Sequence, residues 1–510
     1  MMTFTRTRVL CSFAPWALSS AIAAAVPGCS GSTASSGSGD APIPAKYQAF
    51  ASAFDQERQQ LGVPGASVAL IEHDEVTFAH GFGTKGPNSQ EPVGAKTLFR
   101  IGSMTKALTA TALLGLVQSG AVSLDATLTS LVPDVAISDA IDLSTLTVRQ
   151  LLSHQSGLYD YLVVSGPTDD AALSQFLTSH DYAANEYFMD PPGTFYNYSN
   201  PDYYLAGLVL ERAGGVPYRQ AVAERVLSPL GMTRTFFLPA EVRADGDFSN
   251  GKSTASDGSL WDVRPDSYDN SWARPAGFAF SSVVDYAKFV QFLAAGNGTV
   301  LADPQREAMQ SPQVNMLDPG GVEADIQSYG FGLVVDREFQ VGNSAYVTKL
   351  VWHDGAIPGF TSFFCFLPST GSGIVWFANA DDVEFTTSIV LALQSFAGLT
   401  NPTTTPPPGV AVDTSLFPSY AGTYDDTNGI GLVSVTASAG TLSIDIPSFD
   451  AVNTPYDQVL RPTSMDNFVV TVQGSQIPLT FIADSTGNYM WIRTRIAVGK
   501  RVSNAGGATS

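Results

Sequence analysis

Apolar and polar positions alternate along this chain in two rhythms, one of helical spacing and one of strand spacing. From Tyr47 to Gln59 the apolar residues recur as in an amphipathic helix, and Ala66-Ser67-Val68-Ala69-Leu70-Ile71 followed by Val76-Thr77-Phe78-Ala79 predicts a hairpin turning at His73-Asp74-Glu75. From Ser103 to Gln118, Ala107, Leu108, Ala110, Leu113, Leu114 and Leu116 form a broad apolar face, the pattern of a buried central helix. The stretch from Leu124 to Ala294 alternates helical patterns, such as Asp202 to Ala213, with loops rich in Pro, Gly, Asp and Ser. Strand patterns return at Gly330 to Val335, Lys349 to His353, Ser362 to Leu367 and Gly373 to Ala378, before an apolar helix at Ser388 to Ala397. Helix, sheet and helix in that order predict a layered α+β domain, an α/β sandwich, over residues 46–400.

Asn401-Pro402-Thr403-Thr404-Thr405-Pro406-Pro407-Pro408-Gly409 has the composition of a stiff, extended linker, which places a boundary at residues 401–412. Beyond it, Leu432 to Thr436 and Thr441 to Ile446 flank a turn at Ala439-Gly440, and further strand patterns follow at Phe468 to Val472 and Tyr489 to Ile496. Residues 413–510 are expected to form an all-β domain. No fixed-period repeat of the solenoid or propeller kind is present.

At the other end, Arg6 and Arg8 precede an apolar stretch from Val9 through Ala25, with small residues at Val26-Pro27-Gly28-Cys29. This reads as an export signal over residues 1–28. The run from Ser30 to Gly39 opens a flexible tether over residues 29–45. Gly28-Cys29 resembles a bacterial lipoprotein cleavage site, so that Cys29 would carry lipid and anchor the protein in the cell envelope, in the periplasm or on the outer surface. Simple secretion with cleavage nearby is the alternative. No later segment offers the eighteen or so continuous apolar residues that a spanning helix needs.

Composition narrows the function classes. A chain of 510 residues with 44% hydrophobic and 14% charged residues has room for a catalytic-sized domain and a smaller companion. A formal net charge of −21 argues against nucleic acid and anionic lipid as partners, because both would be repelled at long range. Three cysteines, Cys11, Cys29 and Cys365, exclude a disulfide scaffold; Cys365 lies in Phe363-Phe364-Cys365-Phe366-Leu367 and reads as a buried packing thiol. The five histidines show no metal-binding spacing, so no metal site is expected.

Three short elements carry candidate chemistry. Ser103-Met104-Thr105-Lys106 puts a hydroxyl and an amine one helical turn apart on one face. A lysine partly desolvated there could hold or relay the seryl proton, and the helix amino terminus favours an oxyanion beside Ser103. Taken alone, the pair also fits an N-cap serine with a solvated lysine. Tyr198-Ser199-Asn200 offers a phenol as general base, if Lys106 stabilises its anion, and an amide that could orient Lys106 or bind a substrate carbonyl; taken alone it fits an aromatic turn with a capping asparagine. His353-Asp354-Gly355, continuing into Ala356, ends an apolar strand whose glycine lets a ligand approach the edge, where the N–H groups of Ser103 and Ala356 could hold a carbonyl oxygen. Its simpler reading is a strand-terminal histidine and a turn.

In this order the three elements resemble the serine β-lactamases and penicillin-binding proteins, most closely the class C-like branch. Ser103 and Lys106 match the S-x-x-K motif, Tyr198 and Asn200 the tyrosine-containing second motif, and His353-Asp354-Gly355 the K-T-G element. Leu146 to Leu158, Leu230-Gly231-Met232 and Arg274-Pro275-Ala276-Gly277 are also family-like, and the likeness runs from about Tyr47 to Gly398. The tail, entering at Tyr420-Ala421-Gly422-Thr423-Tyr424, is similar to the small β-barrel module often appended in this branch. The resemblance implies a β-lactamase/transpeptidase-like fold with a central antiparallel sheet and a helical subdomain. It also implies acyl transfer through Ser103 on a small-molecule or peptide ester or amide, without cofactor: Lys106 and Tyr198 share the proton traffic, Asn200 positions, and the Ser103 and Ala356 amides stabilise the oxyanion.

The third element departs from the family pattern. His353 replaces a permanent cation, and Asp354 replaces a hydroxyl that would help hold a substrate carboxylate; a side chain facing the site at Asp354 would repel β-lactams and D-Ala-D-Ala peptides. Esterase or D-amino-acid peptidase activity is thereby favoured over true β-lactamase, unless strand alternation turns Asp354 away. Two other readings fit the sequence less well. His154 and Ser156 lack the G-x-S-x-G elbow of a rival hydrolase, and an envelope-sensing protein that acylates without turnover would keep the same fold.

Overall fold

The computed structural model of the protein describes residues 40–138, 142–254, 259–316, 327–341, 344–399 and 413–504. The expected export signal, Cys29 with its tether to residue 39 and the linker at 401–412 lie outside the described residues. The described residues between 40 and 399 form one compact unit and those from 413 to 504 another.

The larger unit is built on an eight-stranded antiparallel sheet. Its strands are β1 (Gly65–Glu72), β2 (Glu75–Gly83), β3 (Val314–Asn315), β4 (Gln327–Tyr329), β5 (Val334–Asp336), β6 (Leu350–Ile357), β7 (Phe360–Leu367) and β8 (Ser372–Ala378), in the order β2-β1-β8-β7-β6-β5-β4-β3. Every residue of β1, β7 and β8 is buried, which explains why these strands read as continuous apolar runs: helices cover both of their faces. On one face lie α1 (Gln48–Gln60) and, near the end of the unit, α5 (Thr386–Phe396); on the other lie α2 (Thr105–Gln118), α3 (Asn200–Gly214) and α4 (Val283–Ala295). The α2 helix is apolar all round because α3, the Arg274–Gly277 turn and the 303–309 helix enclose it, and Leu108, Leu113 and Leu114 are fully buried.

Most expected elements form within one or two residues of their predicted ends. The β1–β2 hairpin turns on His73 and Asp74, both with positive φ, as a two-residue turn between right-twisted strands requires. One expectation is corrected. Gly330-Phe331-Gly332-Leu333 is a tight turn closed by Gly330 N–H to Leu333 O at 2.8 Å, and the strands lie on either side of it at β4 and β5. Its apolar residues face the core around α2, so burial without extension produced a strand-like pattern. The middle region forms helices as expected, though most are short and separated by loops.

The smaller unit is an eight-stranded antiparallel sheet, β9 (Gly422–Asp426), β10 (Gly431–Ser438), β11 (Thr441–Asp445), β12 (Arg461–Ser464), β13 (Asn467–Val472), β14 (Ser475–Ala483), β15 (Tyr489–Arg493) and β16 (Val498–Asn504), ordered β11-β10-β9-β16-β15-β14-β13-β12. A bridge from Ser443 to Val459 brings its two ends together into a nearly closed barrel. Tyr424, Val433, Phe468 and Phe481 fill it, following the alternation of burial along each strand.

Cys365 is fully buried on β7, and burial pushes its thiol pKa well up, so that it stays protonated. Reaction with a thiol reagent such as DTNB is therefore expected to give the same thiol count for the native parent and Cys365→Ser proteins, and to differ by about one thiol only in denaturant. A difference in the native state would contradict this packing.

Candidate active site

Ser103 sits in a single 3₁₀ turn, Gly102–Met104, that runs directly into α2. Lys106 follows one turn later on the same face, as the spacing requires, and is completely buried. Its ammonium has three N–H bonds and meets three oxygens: Asn200 Oδ1 at 2.7 Å, the Ala276 carbonyl at 2.8 Å and Ser103 Oγ at 3.0 Å. Tyr198, in the loop before α3, brings its hydroxyl to 2.8 Å from Ser103 Oγ, and its ring lies 4.8 Å from the Lys106 nitrogen. Ser103, Lys106, Tyr198 and Asn200, far apart in the chain, thus form one hydrogen-bonded cluster. Here the Tyr198 hydroxyl donates to Ser103 Oγ; once deprotonated to the phenolate, which a neighbouring cation stabilises, the same oxygen could take the seryl proton.

The sheet meets this cluster edge-on. β5 pairs with β6 only over Leu350 to Trp352, and from His353 to Ile357 no strand covers that edge among the described residues; the Gly102–Met104 turn packs there instead. Contact is close enough to demand glycine on both sides. A methyl on Gly102, whose φ is +48°, would lie 2.7 Å from Ala356 N, and one on Gly355 would lie 2.1 Å from Ile101 O. Ala356 N is thereby held against the residue that precedes Ser103.

His353 and Asp354 leave β6 on opposite faces. His353, buried, pairs across the sheet with Phe364 on the α2 side, and its Nε2 lies 3.0 Å from the Tyr329 hydroxyl. Burial lowers its pKa, against the raising effect of the Asp354 carboxylate, whose Oδ1 lies 3.6 Å from Nδ1, and of the bond from Nδ1 to the Asp354 carbonyl; the net shift is downward and favours the neutral imidazole at pH 7. Asp354 pairs with Phe363 on the face shared with Trp376 and Phe385, and its side chain is 34% exposed. The alternation of β6 therefore turns Asp354 to the sheet face opposite Lys106.

Comparison with known proteins identifies the family and the fold. A family model described as Beta-lactamase matches residues 50–394. The chain belongs to the β-lactamase family. Penicillin-binding protein 4 of Amycolatopsis lactamdurans is 28% identical over 389 residues, which cover 74% of this chain and 97% of that protein. The crystal structure of SurE superposes with a TM-score of 0.64 at 24% identity, covering 90% of this chain and 99% of that one. A D-amino acid amidase from Ochrobactrum anthropi SV3, complexed with L-phenylalanine amide, superposes with a TM-score of 0.57 at 27% identity over 69% of this chain and 99% of that one.

In this member of the β-lactamase family, a second ring of residues supports the cluster. Arg274 is buried, 2.7 Å from Asp269 and 3.2 Å from Asp170, and fixes the Arg274–Gly277 turn whose Ala276 carbonyl meets Lys106. His154, the weaker serine-histidine candidate, is fully buried with Nδ1 2.8 Å from Asp202, and its ring lies 4.3 Å from the Tyr198 ring; Ser156 Oγ instead accepts the Leu158 N–H at 2.9 Å. Asp160 accepts both the backbone N–H and the side-chain amide of Asn200 on one oxygen, each at 2.9 Å. Sequence reasoning missed Asp160, Asp202 and Tyr329. Only Asp160 left a signal, two positions beyond the family-like stretch ending at Leu158. Beneath the Asp160 loop, Glu186 is buried, and desolvation raises its pKa to about 8.

Two outcomes follow from this packing. Gly355→Ala is expected to destabilise the protein by about 1–3 kcal/mol and to slow labelling of Ser103 by a fluorophosphonate by at least roughly tenfold; unchanged labelling would contradict the close approach. Glu186 keeps its proton in the folded state, whereas in the unfolded chain it ionises above its ordinary value of 4.5. Folding stability at this group is thus full below that value and lost as pH rises towards 8. Urea unfolding at pH 5, 6 and 7 should show Glu186→Gln gaining on the parent by up to about 1.4 kcal/mol per pH unit.

Proposed function

We propose that this protein is a serine hydrolase that cleaves a neutral ester, or an amide lacking a carboxylate, through an acyl-enzyme on Ser103. One observation carries the reading: Ser103 Oγ lies within 3.0 Å of both the buried Lys106 ammonium and the Tyr198 hydroxyl, beside an uncovered strand edge. A substrate laid along β6 presents its carbonyl carbon to Ser103. Oγ forms the new bond as its proton passes to the Tyr198 oxygen, whose anionic form Lys106 stabilises. The carbonyl oxygen gathers negative charge against the Ser103 and Ala356 N–H groups, and the alcohol or amine leaves with the proton from Tyr198. Water then repeats the exchange and releases the acid.

Lys106 acts as a fixed cation in this scheme. Its nitrogen lies within hydrogen-bond distance of three oxygens, a setting that suits a cation, and the scheme therefore gives the proton transfer to Tyr198. The substrate class follows from β6. Where the family pattern has a permanent cation, this chain has the neutral, buried His353, so nothing on that strand offers an ionic partner to a substrate carboxylate. Asp354, turned to the other sheet face, does not add the direct repulsion that a site-facing carboxylate would. Short-chain esters and D-amino-acid amides fit such a site better than β-lactams do. The amidase neighbour at 27% identity supports an amide as the substrate's scissile group.

Residues 1–29 support export with a lipid on Cys29, the protein then working in the bacterial cell envelope. No described helix is long and apolar enough to cross a membrane.

Parallel assays with a nitrophenyl butyrate, a D-phenylalanine amide, a chromogenic cephalosporin and a D-Ala-D-Ala peptide test the proposal. Ester or amide turnover is expected to exceed cephalosporin turnover in kcat/KM by at least about tenfold, and Ser103→Ala should lower it by roughly 10³-fold or more. Activity surviving in that variant would remove Ser103 from the mechanism, and stoichiometric acylation without release would mark a sensing protein.

A further inference from the structure

Lys106 can donate to Asn200 only while Asn200 presents its oxygen, and an asparagine amide can as readily present its NH₂ group. With the amide reversed, two donors would face each other in a buried site, and the ammonium would lose one of its three acceptors. Nothing in Asn200 itself decides between the two orientations. Asp160 does: its Oδ1 accepts the Asn200 backbone N–H and the Asn200 Nδ2–H, both at 2.9 Å, which leaves Asn200 Oδ1 as the atom facing Lys106 at 2.7 Å.

We infer that Asp160 is a positioning residue, locking the Asn200 amide so that its oxygen holds the Lys106 ammonium against Ser103. The inference rests on the proposed Ser103 mechanism and extends it by one shell. Asp160 is itself buried at the end of the loop that begins at His154, a residue with φ of +57°, so the carboxylate has little room to move away. A single oxygen receiving both N–H groups of Asn200 also fixes the start of α3, because Asn200 is the first residue of that helix. The loop, the helix start and the ammonium are thereby joined by one carboxylate oxygen and one amide.

The prediction separates positioning from folding. Phosphonylation of Ser103 by a fluorophosphonate and hydrolysis of nitrophenyl butyrate would be measured in the full chain for the parent and for Asp160→Asn, Asp160→Ala, Asn200→Ala and the double Asp160→Ala/Asn200→Ala variant. Asp160→Ala is expected to lose roughly tenfold to a hundredfold in phosphonylation rate and kcat, with KM changed by less than about threefold. Asp160→Asn keeps an oxygen at the same place and should recover to within about fivefold of the parent. In the Asn200→Ala background, where only the backbone N–H of residue 200 remains for Asp160 to hold, Asp160→Ala should cost at least about fivefold less than it does in the parent. Additive losses in the double variant, or an Asp160→Ala protein as reactive as the parent, would overturn the inference while leaving the Ser103 mechanism standing. A parent whose Ser103 does not react at all would sink both.

Discussion

An ammonium taken out of water must find an oxygen for each of its N–H bonds or carry a cost of several kcal/mol. Lys106 meets that demand in a completely buried position with acceptors from three separate stretches: Ser103 at the start of its own helix, Asn200 at the start of α3 and Ala276 in the Arg274–Gly277 turn. Each supplier is fixed in turn by something else. Asn200 is oriented by Asp160, Ala276 is held by the Arg274 ion pairs, and the Ser103 turn is pressed against β6 through Gly102 and Gly355. Much of the helical layer can be understood as the framework that keeps one charge satisfied where a serine needs it.

The sheet contributes differently. β1, β7 and β8 are buried on both faces and supply a rigid wall, while β6 loses its partner strand after Trp352 and leaves a backbone edge beside Ser103. Backbone groups at such an edge can bind an extended substrate whatever its side chains are. The tight contact between Gly102 and Ala356 N makes the alignment of serine and edge a property of backbone packing, which tolerates no added methyl on either side.

The parts of the fold carried by local periodicity were legible in the sequence: α1, α2, the β1–β2 hairpin and the barrel strands all follow from spacing and turn residues. The cluster was legible in part for the same reason, since Ser103 and Lys106 three residues apart on a helix must lie side by side. What spacing could not reveal were contacts between residues distant in the chain and individually unremarkable in type. Asp160 lies 40 positions from Asn200, and His154 lies 48 from Asp202. A lone carboxylate in a loop carries no pattern until the partner it faces is known. The Gly330 to Val335 stretch failed for a different reason, because burial against α2 gives a turn the same apolar composition as a strand.

The direction of Asp354 was the other open question, and its answer separates chemistry from recognition. Ser103, Lys106, Tyr198 and Asn200 bond to one another, so a change in any one of them disturbs the rest. β6 approaches that cluster through Ala356 N and the bare Cα of Gly355, both backbone features, while its side chains at 353 and 354 leave on opposite faces. A strand arranged in this way can exchange a cation for a neutral histidine, and a hydroxyl for a carboxylate, without moving the backbone that lies beside Ser103. Departure from the family pattern is therefore concentrated at His353 and Asp354 and is absent at Ser103, Lys106 and Tyr198, the division expected if, as proposed, β6 sets which substrate charge is accepted while the hydrogen-bonded cluster carries the reaction.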